Sequence, residues 1–129
     1  NAQTTFALNS ATWARLNGGT TDSALFIANG EDAVQLDLNV AVSLVGAGVL
    51  AFGVSIDSTT APAQASILPA AAANTSGSVC YTSVPANGWH TAYALGMSSG
   101  VASTMIADLA RNGAAADPPA TVLSGLVWC

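Results

Sequence analysis

The stretch Gly46-Ala47-Gly48-Val49-Leu50-Ala51, entered from an apolar run, matches the G-x-G-x-x-A turn that cradles a dinucleotide pyrophosphate. That turn works by opening a helix whose first amides face the phosphates. Here Leu50 to Asp57 alternates like a strand, Gly53 interrupts it, and Asp57 comes well before the ribose-binding acid expected about 20 residues on. The glycines are expected instead to make a hairpin turn, where they supply positive φ. A nucleotide-binding enzyme therefore ranks last among the functions considered, and no cofactor is expected.

His90 is the only histidine, so any Ser-His-Asp arrangement has to use it. A chain without lysine has no S-x-x-K arrangement. The carboxylates are scattered singly apart from Glu31-Asp32, which gives neither a metal cluster nor a pair for glycoside hydrolysis. Cys80 and Cys129 are the only cysteines, with no ligand spacing for zinc around them. They are candidates for one disulfide tying the last residue to a strand, or for two buried free thiols. Asn74-Thr75-Ser76 fits a glycosylation sequon, which matters only in a secreted eukaryotic protein. The expectation is a protein that is not an enzyme, with no catalytic residue and no metal.

The composition limits the partners. Hydrophobic residues make up 51% of the 129 residues and charged residues 7%, against roughly a quarter in an average soluble domain. Such a chain has too little polar surface to cover itself alone, so burial against copies of itself or a larger assembly is expected. Arg15 and Arg111 are the only basic residues against seven acids, a net charge of -5. Nucleic acid and anionic lipid both require a cluster of cations and are excluded as partners. Residues 40 to 56 carry no charge and approach the length of a spanning helix. Their three glycines, their period of two and the absence of flanking Lys or Arg argue against membrane insertion. A start at Asn1 rather than Met suggests either a processed product or the ordered part of a longer chain.

The elements follow from hydrophobic period. From Val34 through Leu36, Leu38, Val40 and Val42 to Leu44, every second residue is a large aliphatic, while Gln35, Asp37, Asn39, Ala41 and Ser43 form the opposite face. After Gly46-Ala47-Gly48 the alternation resumes through Leu50, Phe52, Val54 and Ile56, which predicts a long β-hairpin as the spine of the fold. Short strands are expected around Trp13 and over Ala24 to Ala28, the latter closed by Asn29-Gly30 with Glu31-Asp32 in the turn. Ser58 to Ser78 reads as a long surface loop with one short strand at Ile67-Leu68. Strands are expected again over Val79 to Val84, Trp89 to Leu95, Val101 to Leu109 and Thr121 to Cys129. The last is apolar on both faces, so Leu126, Val127 and Trp128 are candidates for core or subunit interface, with Trp128 buried and the strand central. Seven or eight short strands and no convincing helix predict one all-β domain over 1–129, an antiparallel β-sandwich or jelly roll.

The order Gly88-Trp89-His90, a strand, a variable loop, a further strand and a closing Leu123-Ser124-Gly125-Leu126-Val127-Trp128 resembles the ending of the small trimeric knobs of tailed-phage fibres, head spikes and decoration proteins, similar to tumour-necrosis-factor and C1q-like domains. The spine followed by Phe52-Gly53-Val54-Ser55-Ile56-Asp57 fits the same layout. The resemblance implies a jelly-roll virion protein on the particle surface, a homotrimer touching other virion proteins or host glycans. Tyr81, His90, Arg111 and Asn112 are then the candidates for receptor contact. A secreted or cell-surface carbohydrate-binding sandwich is the alternative.

Overall fold

The computed structural model describes residues 4–8, 10–16, 23–44, 49–69, 74–99, 103–107 and 122–127. Every regular element among them is a strand: β1 (Thr4–Leu8), β2 (Ala14–Arg15), β3 (Ser23–Asn29), β4 (Val34–Leu44), β5 (Val49–Ile56), β6 (Gln64–Pro69), β7 (Asn74–Ser83), β8 (Asn87–Ser99), β9 (Ser103–Ala107) and β10 (Val122–Val127). They form two antiparallel five-stranded sheets. The first runs β1-β9-β4-β10 with β7 on the other side of β4; the second runs β2-β8-β5-β6 with β3 beside β2 along the same side of β8.

The pairings are nested. β1 pairs β9, β3 pairs β8, β4 pairs β7 and β5 pairs β6, and all four are centred between Ser55 and Thr59. The chain is thus one long antiparallel ribbon, doubled back at that point and rolled up until β5 meets β8 and β4 meets β9. This is the jelly-roll order, and the all-β sandwich expected from the sequence is the observed fold.

The roll corrects the spine. Val34–Leu44 and Val49–Ile56 belong to different sheets, so they are not a hairpin but cross from one layer to the other. Gly46, Ala47 and Gly48 lie outside the described residues. Period two fixes which face of a strand is apolar, and it says nothing about which strand lies alongside. The loop expected over Ser58 to Ser78 is corrected too, since it holds all of β6 and the first half of β7.

The faces follow the alternation. On β4, Val34, Leu36, Leu38, Val40 and Val42 are each at most 3% exposed, and from the other sheet Leu50, Phe52 and Val54 meet them fully buried. Leu16, Val79, Ala92 and Ala94 complete the cluster, with Phe26, Ile56, Leu68, Tyr81 and Leu123 around its rim. Each fully buried large side chain contributes about 1.5–3 kcal/mol. Gly77 gives the largest of them its room: a Cβ there would lie 2.7 Å from Phe52 Cζ.

Candidate functional site

The second sheet carries the chemistry-bearing residues, positioned by the pairing of β5 with β8. Ile56 lies opposite Ala92, so the next residue, Asp57, arrives beside Thr91. Its N–H donates to the Thr91 carbonyl and its Oδ1 accepts from the Thr91 N–H, both at 2.8 Å. Asp57 sits at φ 59°, the left-handed region that a short polar side chain tolerates better than most. Its second oxygen, Oδ2, is 2.6 Å from His90 Nδ1, and His90 Nε2 lies 2.8 Å from the Ala86 carbonyl.

A carbonyl only accepts, and so does an ionised carboxylate, so both ring nitrogens of His90 act as donors and the cationic imidazolium is the form that satisfies the site. The hydrogen bond to Asp57 and then that to Ala86 raise the His90 pKa against a smaller opposing effect of burial. The Asp57 carboxyl is held below its usual range, chiefly by the Thr91 amide and then by His90. The imidazole is 12% exposed and the carboxylate 52%. With both nitrogens engaged, the ring takes no proton from a substrate and offers no lone pair to a metal. It pins the turn at Ala86 and the start of β8 to the end of β5. Beyond Asp57 the chain folds back on β5: the buried Ser55 hydroxyl donates to the Ser58 carbonyl, and the Ala63 amide donates to the Val54 carbonyl at 2.8 Å.

Beside this clamp the outward face is apolar. Ile27 of β3 stands directly opposite Trp89 of β8, with Leu25 opposite Thr91. Trp89 is 68% exposed, Leu25 66% and Ile27 56%. Two short polar clusters close the ends of β3. At its start, Arg15 Nη2 donates to Ser23 Oγ at 3.3 Å while the guanidinium lies 5.1 Å over the Tyr93 ring, a cation–π distance. At its end, Asn29 Oδ1 accepts the amides of Glu31 and Asp32, both at 2.9 Å, and Asn29 Nδ2 donates to the Asp32 carboxylate. This side-chain-capped turn passes through Gly30 at φ 81°.

The outward face of the first sheet is polar except for Leu126, exposed opposite Gln35. Gln35, Asp37 and Asn39 of β4 stand opposite Thr82, Cys80 and Ser78 of β7, and Ser124 of β10 lies on the other side of Asp37. Gln35 Nε2 donates to Asp37 Oδ2 at 2.8 Å. Cys80 is an exposed free thiol rather than half of a disulfide, and rather than the buried thiol of the other expectation. The Asp37 carboxylate beside it raises its pKa. Cys129 lies outside the described residues.

The four candidates for receptor contact do not converge. Tyr81 faces inward at the rim of the core on the first sheet, His90 is locked in the clamp on the second, and Arg111 and Asn112 lie outside the described residues. Of the closing strand, β10 pairs β4 alone among the described residues, so it runs along a sheet edge rather than centrally. Leu126 is 53% exposed and is not core. Val127 stands opposite Val34 in the register, and Trp128 lies outside the described residues. In the sequence Asp57 stands out only against the spacing of a ribose-binding acid, and no motif marks the Leu25–Ile27–Trp89 face. The signal for that face was the uncharged, proline-free run from Ser23 to Asn29. No protein-family model matches the chain, and no curated protein and no solved structure matches it.

Proposed function

We propose that this protein is a non-enzymatic structural component of a tailed-phage virion, a jelly-roll knob or decoration domain acting as a homotrimer on the particle surface. The observation that carries the reading is the solvent-facing apolar surface. Leu25, Ile27 and Trp89 on one sheet and Leu126 on the other stand exposed in a chain with 7% charged residues. A surface of this kind is covered in an assembly. The jelly-roll order supports the same reading, because it is the layout that the resemblance to trimeric knobs implies. The test is multi-angle light scattering of the purified chain. A mass of three protomers, or of six where trimers pair, is expected, and a monodisperse monomer at micromolar concentration overturns the assembly reading.

Attachment to a host glycan is the second part of the proposal, favoured by one observation. Trp89 presents an exposed indole next to Asn87 and across from Ile27, an apolar plate flanked by an amide. A glycan array with the native chain and a Trp89→Ala variant tests it, with loss of every signal in the variant as the expected result. A chain that binds no glycan leaves only the structural role.

A further inference from the structure

We infer that β3 is a self-complementary edge through which two copies of this chain pair about a two-fold axis, joining their second sheets into one continuous sheet. Among the described residues β3 pairs β8 on one side only. An edge strand is normally blunted by a lysine, a proline, a bulge or an inward charge, because its unpaired amides and carbonyls template a further strand. Ser23-Ala24-Leu25-Phe26-Ile27-Ala28-Asn29 has none of these, and Leu25 and Ile27 stand exposed on its outward face.

The run is also nearly palindromic about Phe26. Antiparallel pairing with a second copy, centred there, sets Phe26 against the partner's Phe26, Leu25 against the partner's Ile27, Ala24 against the partner's Ala28 and Ser23 against the partner's Asn29. Every position meets one of its own size and polarity, as a two-fold interface demands. Residues of the same parity face each other throughout, so the amides and carbonyls that β8 does not engage come into register. At the two ends of β3 the cation Arg15, with Asp22 next to Ser23, meets the acidic turn of the partner. Arg15, which donates to Ser23, comes to the partner's Asn29, whose side chain bonds the partner's Asp32 and caps the partner's Glu31. The two-fold makes this contact twice, between one of the two cations of the chain and its only adjacent pair of acids. Opposite charges at the rim of an interface fix register and speed encounter. The occupant is therefore a second copy.

This inference stands apart from the trimeric reading, because edge pairing doubles whatever assembly exists. Native mass spectrometry of the full chain should give dimers or hexamers. Monomers or trimers alone overturn the pairing. A Leu25→Lys/Ile27→Lys variant, altered only at exposed positions, should keep its circular dichroism and halve the native mass; an unchanged mass overturns the proposal. Register is read by cross-linking in a Cys80→Ser/Cys129→Ser chain. A mixture of Leu25→Cys and Ile27→Cys chains should oxidise to a disulfide-bonded heterodimer, since directly opposite residues lie about 4.5–5.5 Å apart between Cα atoms. The Leu25→Cys chain alone should not, because two copies of that residue sit on a diagonal beyond about 7 Å. Equal cross-linking in the two samples, or none in either, overturns the two-fold centred on Phe26.

Discussion

Two acceptors surround His90, and the fold gains from its charge only while the proton stays on. Its folded pKa is raised above the ordinary histidine value of about 6.5, so its stabilisation is complete below that pH and is lost as pH rises through the folded value. Asp57 has the opposite sign: its folded pKa is lowered, so its contribution is present above about 3.9 and is lost as pH falls through the folded value. Both are in place between those limits. Thermal melts across this range are expected to show a plateau at mildly acidic pH with a decline on the alkaline side. Asp57→Asn should flatten that decline, and a variant with the same alkaline slope as the wild type would show that the clamp is not its origin. A second residue-scale prediction concerns Gly53. A Cβ there would run into the Gln64 carbonyl oxygen and lie 2.9 Å from Pro62 Cβ, so Gly53→Ala is expected to cost about 1–3 kcal/mol, measured by urea denaturation. The sequence singled out His90 but not its partner. Asp57 lies 33 positions away and meets it only through the register of β5 on β8.

At the scale of elements, period two was a sound guide to faces. The residues of β4 predicted to point inward are buried from Val34 to Val42, and Leu38 is 0% exposed at the centre of the core. Leu38→Asp is expected to abolish folding, since an unpaired buried carboxylate costs several kcal/mol. Asp37→Ala, which removes the bond from Gln35 and the carboxylate beside Cys80 on the polar face, should be mild by comparison. Expression level and melting temperature compare the two, and equal values would refute the face assignment. Where the outer face is covered as well, the pattern was less legible. Ser55 is buried on the outward side of β5 because the chain after Asp57 folds back over it. The full length of β6 around Ile67-Leu68 and the start of β7 were not legible because small or polar residues such as Gln64, Ala65, Ser66, Ser76 and Ser78 carry no strand signal of their own. Their conformation comes from the strands they pair, β5 and β4.

For the whole molecule, the two outward faces are unlike. The first sheet presents Gln35, Asp37, Asn39, Ser78 and Thr82, and the second presents Leu25, Ile27 and Trp89. Composition announced an apolar surface in need of cover, yet its location depended on which strands became edges, and that is a property of the roll. β10 sits at such an edge, where Leu126 and Val127 pair Gln35 and Val34. A chain ending at Gly125 loses both pairings and uncovers the β4 edge beside Val34. Its melting midpoint is expected to fall by about 4 °C or more. An unchanged melt would show that the last pairings of β10 carry no stability.

The nesting of the pairs around Ser55–Thr59 also dictates an order of events in time. Closing a loop costs entropy that grows with the length of free chain between its ends. For β5 with β6 that stretch is only the segment from Asp57 to Ala63, whereas for β1 with β9 it is nearly the whole chain unless the inner pairs have already formed. Assembly is therefore expected to proceed as a zipper from the middle outward, with the N-terminal strand the last to find its place. In stopped-flow measurements, substitutions at the β5–β6 turn such as Ser58→Gly should slow refolding, while those in β1 such as Phe6→Ala should mainly speed unfolding. A synthesised chain stays open until the residues of β9 have emerged, so an N-terminal half of this protein is not a smaller version of it.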